Sequence, residues 1–281
     1  MKGFSSLGVV GVCALVIGCD SPPSPTRTFA PALAPAATAR HSAAPRLDSI
    51  ATHLAEKVLA AAGGREKFKA CNYFSFHFVI ESDTGVVADW RHDWDRRNNR
   101  YRLEGELPTG EHVLMWMHLN NRTGRAFQNG QPVPVEEAKP LMGLAYSRFL
   151  SDFYWLLLPF KLHDPGVRLE YQGRQEIGQV SFETVRLSFA DKTGLTPENS
   201  YRLFIDPATF RIQRWEFFAT PQSTPLVAWW ENWQDFNGIA LAMERRLEGT
   251  SRRILFEELV VSAVVDESLF AVPAQLSARV Y

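Results

Sequence analysis

The stretch Asn72–Glu81 reads NYFSFHFVIE. Phe74, Phe76, Phe78 and Ile80 share one parity, and Ser75, His77, Val79 and Glu81 share the other. Side chains alternate across a strand with a period of two, so the stretch predicts a β-strand with one aromatic face. Asp83-Thr84-Gly85 then supplies a hairpin turn. The next run, VVADWRHDWD (86–95), places Trp90, His92 and Trp94 on one face and Asp89, Arg91, Asp93 and Asp95 on the other. Further strands are expected at 101–107, 112–119 and 125–128, and these short runs with tight turns describe an antiparallel meander.

The pattern changes on either side. Upstream, LDSIATHLAEKVLAAA (47–62) sets Leu47, Ile50, Leu54, Val58 and Leu59 near helical spacing, with Asp48 or Ser49 as N-cap and Gly63-Gly64 as a stop. Downstream, PVEEAKPLMGLAYSRFLSDFYWLLL (134–158) loses alternation and predicts one or two helices, interrupted near Pro140 and ended by Pro159. Asp164-Pro165-Gly166 turns the chain into renewed strands at 167–173, 180–190, 201–206, 210–219, 225–233, 239–249 and 252–263, for about twelve in all. Asp206-Pro207-Ala208-Thr209 is a turn between paired strands. DESLFAVP (266–273) reads as a short capped helical turn that inserts Leu269 and Phe270 into the core.

The first residues carry a different signal. Lys2 precedes an apolar run of about eleven residues, Leu7 to Ile17, too short to cross a bilayer core that needs about twenty. It reads as an export signal over 1–18. Val16-Ile17-Gly18-Cys19 resembles the bacterial lipobox, which implies that Cys19 becomes the lipid-bearing N-terminus. A thiolate is the nucleophile suited to forming that thioether, and two or more acyl chains give stable anchoring. Asp20 resembles the inner-membrane retention signal of enterobacterial lipoproteins, the outer membrane being the alternative. Residues 19–46 form the lipidated cysteine and a tether rich in Pro and Ala, with too little apolar surface to fold. About 27 residues would reach roughly 80 Å extended or about 30 Å as a coil. The folded domain is expected over 47–281.

Composition narrows the function. With 30 Lys+Arg against 31 Asp+Glu, bulk charge gives no reason to expect nucleic-acid binding. Cys13 leaves with the signal and Cys19 is consumed by lipid, so Cys71 has no intramolecular partner and reads as a small buried hydrophobe. No HExxH, GxSxG, P-loop or GxGxxG pattern occurs. In a strand His92 points away from Asp93 and Asp95, so HDWD holds no metal there without a bulge. His112 and His118 lie some 20 Å apart along their strand. His163-Asp164 reads as turn chemistry, His53 as a helix-surface residue, and Glu136-Glu137 and Glu257-Glu258 as solvated charges. Neither metal nor cofactor is expected, and no catalytic residue.

The order of helix, strands, helical insertion and strands, with YRLFIDPATFRIQRWEFF (201–218), Gly238-Ile239 in DFNGIAL, and DESLFAVP, resembles the LolA/LolB-like group. That group includes lipoprotein carriers and RseB/MucB-type sensors, and the PFKL-x-DPG segment is similar to uncharacterised lipoproteins within it. The resemblance implies an incomplete, strongly curved antiparallel barrel of mainly β (α+β) class, with about 11–12 strands and helices across an apolar mouth. It also implies binding of a lipid or acyl chain without chemistry. By parity, Phe74, Phe76, Phe78, Trp90 and Trp94 line the concave face, and Tyr154, Trp155, Leu158 and Phe160 supply its cover. The alternative is a filled core with no pocket. Two other functions stay open: a sensor or scaffold that contacts another envelope lipoprotein or membrane protein without ligand, and an envelope hydrolase with a noncontiguous triad.

Overall fold

The computed structural model describes residues 48–190 and 196–271. The expected export signal, the expected lipid attachment at Cys19, the expected tether, Leu47 and the end of DESLFAVP lie outside the described residues.

The chain opens with two helices, α1 (Ser49–Ala61) and α2 (Gly64–Ala70). Asp48 caps α1, its Oδ1 accepting from the N–H groups of Ile50 and Ala51 at 3.0 Å each. Its Oδ2 accepts from the backbone of Tyr171 at 2.7 Å, fastening the helix to a strand 123 positions away. The buried stripe is Ala51, Leu54, Ala55, Val58 and Leu59, whereas Ile50, expected within it, is 52 % exposed. Gly63 stops α1 as anticipated, but a second short helix follows at once.

A meander of six strands comes next: β1 (Tyr73–Ser82), β2 (Gly85–Asp95), β3 (Arg100–Glu106), β4 (His112–His118), β5 (Thr123–Gln128) and the two-residue β6 (Gln131–Pro132). After α3 (Val135–Lys161), seven more follow: β7 (Val167–Ile177), β8 (Val180–Phe189), β9 (Ser200–Ile205), β10 (Ile212–Phe218), β11 (Leu226–Phe236), β12 (Ile239–Leu247) and β13 (Arg253–Ser262). The twelve expected strands are all present, and β6 is the addition. They form one antiparallel sheet in the order β6-β5-β4-β3-β2-β1-β13-β12-β11-β10-β9-β8-β7. The two meanders join where β1 pairs with β13, for example Phe78 opposite Phe256. Among the described residues no pairing links β6 to β7, so the incomplete barrel is an unclosed sheet with two edges, and the term barrel does not apply.

The helix α3 runs from one of those edges to the other and fixes the sheet's curvature. Its neighbouring residues Phe153 and Tyr154 touch Tyr101 of β3 and Tyr201 of β9, the fourth and eleventh strands in the order. Seven strand spacings would separate these by about 34 Å in a flat sheet. The sheet must therefore wrap round the helix.

The 27-residue α3 is continuous through both of its prolines, against the expected break at Pro140 and end at Pro159. Pro140 lies in the exposed second turn, where the carbonyl of Glu136 that loses its partner faces solvent. Pro159 is buried, and its effect on the helix is met by a strand residue described below. The C-terminal turn, Glu267–Phe270, is capped by Asp266, which accepts from Ser268 N–H at 3.0 Å. Leu269 and Phe270 are half-exposed rather than core residues. The Leu269 carbonyl accepts from Trp116 Nε1 at 2.8 Å, and Arg100 covers the Phe270 ring.

The α1–α2 junction is seated on the β11–β12 turn. Asn237 and Gly238 both take positive φ, as a two-residue hairpin needs, and Ala240 N–H donates to the Ala62 carbonyl at 3.0 Å. Gly63 has φ +113°, and a Cβ there would lie 2.1 Å from the Gly238 carbonyl oxygen. Gly63→Ala is expected to cost about 2 kcal/mol in urea unfolding through strain and lost docking. A neutral result would mean that the junction does not rest on that turn.

Candidate functional site

The underside of α3 and the concave sheet face form a layer of aromatic side chains with two clusters of buried polar groups. On the β1–β3 side, Phe153 is the hub. Its ring centroid lies 5.0 Å from Phe76, 5.0 Å from Trp94 and 5.1 Å from Phe149. On the other side Trp155 meets Trp215 edge-on at 4.6 Å, and Trp215 meets Trp230 at 5.3 Å. At the helix's end Phe160 stacks on Phe68 of α2 at 4.2 Å. Offset and edge-on geometries of this kind add to the area term that buries such rings.

The first polar cluster ties α3 to β2 and β3. Asp152, 5 % exposed, accepts from Arg148 Nη1 at 2.8 Å and Ser151 Oγ at 2.6 Å. Its Oδ2 is 3.3 Å from His92 Nε2, an electrostatic contact outside ideal hydrogen-bond alignment. His92 Nδ1 pairs with the Tyr101 hydroxyl at 2.8 Å, and the imidazole stacks on Phe76. Burial alone would raise the Asp152 carboxyl, but Arg148 and His92 outweigh it and hold it below the usual carboxylate range. Burial also holds the His92 imidazole below its ordinary value, against the pull of Asp152, and pushes the Tyr101 hydroxyl well up. With Tyr101 on one ring nitrogen and Asp152 facing the other, His92 has no nitrogen turned to a serine. Ser151 donates directly to the carboxylate, so the relay order of acyl-transfer triads is not formed by these residues.

The second cluster centres on Arg245 of β12, which is fully buried. It shares its strand parity with Leu247 and lies opposite Trp230 and Ile254, on the inward face. Its guanidinium sits 3.6 Å from the Trp230 ring centroid and 5.0 Å from that of Phe256. Nη1 donates to the carbonyls of Ala242 and Glu244 at 3.0 Å each, and Nη2 to the carbonyl of Trp155 at 2.6 Å. Trp155 stands four residues before Pro159, and proline has no N–H to give the carbonyl four positions back. Arg245 thus supplies the donor that Pro159 removes, which lets α3 run on to Lys161. Burial lowers the guanidinium pKa well below its ordinary value.

A family model described as a family of unknown function, DUF6503, matches residues 117–251. No curated protein matches the sequence. Among solved structures, a LolA-superfamily protein from Nitrosomonas europaea aligns at 13% identity and a TM-score of 0.47, over 78% of this chain and 97% of that one. A DUF1329-family protein from Desulfovibrio piger aligns at 11% identity and a TM-score of 0.46, over 79% and 97% of the two chains. A putative outer membrane lipoprotein-sorting protein domain from Vibrio parahaemolyticus gives 10% and 0.44, over 78% and 96%.

The structure places the nine residues expected to line and cover the concavity on β1, β2 and α3. Phe74, Phe76, Phe78, Trp90 and Trp94 are buried on the sheet, and Trp155, Leu158 and Phe160 are buried on α3. Tyr154 is half-buried and stacks on Tyr201 at 5.5 Å. These groups pack on one another and on the helix, so α3 fills the trough that it covers. Sequence reasoning missed Tyr101, Asp152, Trp215, Trp230 and Arg245. HDWD divides as parity requires: His92 turns inward, while Asp93 accepts from Tyr73, Ser75 and Arg102 on the opposite face and Asp95 from Asn98 and Arg100. Asp164 N–H donates to the Lys161 carbonyl, and its own carbonyl accepts from Val167, which makes it a turn residue. Cys71 is buried, its Sγ directed to the Lys67 carbonyl. Among the described residues no three His, Cys, Asp or Glu side chains gather as a metal site. No described helix is long and apolar enough to cross a membrane.

Proposed function

We propose that this is a lipid-anchored envelope protein that holds a lipid or acyl chain between α3 and the concave face of the sheet, without chemistry on the ligand. One observation carries the reading: the element covering the aromatic trough is joined to the sheet only at its two edges, β6 and β7. Every strand-to-strand ladder therefore survives if α3 lifts. The helix is held by side-chain packing and by a few polar contacts from His92 and Arg245, and lifting it would open an apolar groove of a width suited to a chain. On this reading the export signal over 1–18 and lipid on Cys19 place the domain at a membrane surface, with 19–46 as its tether.

The test is photolabelling of the full chain with a diazirine-bearing palmitate, followed by peptide mapping. Labels should fall on the inward strand residues, such as Phe76 and Trp215, and on the Phe153–Phe160 underside of α3. Labels confined to the outer face, or displaced equally by any detergent at its working concentration, would overturn the reading.

A further inference from the structure

We propose that the trough selects acyl ligands with an anionic, oxygen-bearing head, carboxylate or phosphate, and that Arg245 receives it; this rests on the acyl-binding reading above. Arg245 is a fully buried cation of the concave face without a counter-ion. Among the described residues no carboxylate lies within ion-pairing distance of it, whereas Arg148, the other guanidinium at the helix underside, is paired with Asp152. A buried charge is costly unless it is paired. The carbonyls of Ala242, Glu244 and Trp155 call for donors, and a neutral donor would meet the need that Pro159 creates. They do not account for a formal charge.

The surroundings point the same way. Arg245 Nε, Trp230 Nε1 and Trp215 Nε1 belong to three adjoining, fully or almost fully buried side chains, and none has a hydrogen-bond partner. Buried donors are nearly always satisfied, so three neighbours left over make a site rich in donors and poor in acceptors. An anionic head brings two or three acceptor oxygens and the missing charge together. The Trp155 carbonyl, 2.6 Å from Nη2, occupies the position that one such oxygen would take once α3 lifts. Indole and phenyl rings on either side of the guanidinium, Trp230 and Phe256, then continue as the wall for the chain. A diacylglyceryl thioether, such as lipoproteins carry, has no charge and would leave Arg245 unpaired.

The experiment compares palmitate, lysophosphatidic acid, hexadecanol and diacylglycerol as competitors of the photoactivatable palmitate on the full chain. Palmitate or lysophosphatidic acid should compete at least about tenfold better than the two neutral lipids, as expected for a charge-assisted pair. The acid that competes better identifies the source of the head. Arg245→Met should reduce that preference to near unity, and Arg245→Lys should keep part of it. The comparison on the unmodified protein stands even if Arg245→Met fails to fold. Equal competition by palmitate and hexadecanol would overturn the inference and leave acyl binding intact. Absence of competition by all four would remove both.

Discussion

Trp155→Ala is expected to lower the free energy of unfolding by about 3–5 kcal/mol, the usual cost of deleting a buried indole from a close-packed core. Trp155 is 5 % exposed and packs edge-on against Trp215, so its loss leaves a void where α3 meets β10. For a domain of this size the melting midpoint should fall by roughly 10 °C. Trp229→Ala is the control: that ring is on the outer side, half-exposed, with its Nε1 donating to Glu248 at 2.7 Å, and about 1 kcal/mol is expected there. Equal midpoints for the two variants would show that α3 is not seated in the trough. Because the ligand must displace the same contact, the population with α3 raised should grow in Trp155→Ala, and the photoactivatable palmitate should label it faster.

The residues that explain this prediction were legible in the sequence to different degrees. Alternation over Asn72–Glu81 and its neighbours located twelve strands because each side chain in a half-buried strand reports its own face. The greasy run ending in PFKL was read as a helix lying over the sheet, and so it is. Its extent was not legible, because the usual effect of Pro159 is local whereas its remedy, Arg245, comes from a strand 90 positions beyond the Trp155 carbonyl that it serves. Signals for the missed polar groups did exist. In IALAMERRL, Arg245 has the parity of Leu241, Met243 and Leu247, so a charge sits on the apolar side of its strand. Asp152 falls three residues after Phe149 and four before Leu156, within the apolar stripe of α3. A charge on the wrong face is a local contradiction, and such contradictions gather where a fold does something besides pack. Trp215 and Trp230 follow the inward parity of their strands, but without a register between β10, β11 and β12 nothing in the sequence brings them to Arg245.

Asp152→Ala should destabilise the protein by about 3–5 kcal/mol, since removing one member of a buried pair leaves Arg148 and His92 uncompensated. The combined variant Asp152→Leu, Arg148→Met, His92→Phe and Tyr101→Phe should recover much of the loss, because an apolar replacement of the whole buried network has no desolvation cost to offset. The acid limb supplies a second readout. Both groups have folded-state pKa values below their ordinary ones. For Asp152 the stabilisation is present above its unfolded pKa of about 4 and is lost as the pH falls through the folded value. For His92, kept neutral by burial, stability is full above about 6.5 and declines below it, because the unfolded chain takes up a proton that the folded chain resists. The wild-type midpoint should therefore climb from pH 4 to 7. His92→Phe should flatten that climb below about pH 6.5. If Asp152→Ala matches the wild type in denaturant, and His92→Phe leaves the acid limb unchanged, the network does not fasten α3 to β2 and β3. With it would go the account of the helix as a cover held by few, breakable contacts.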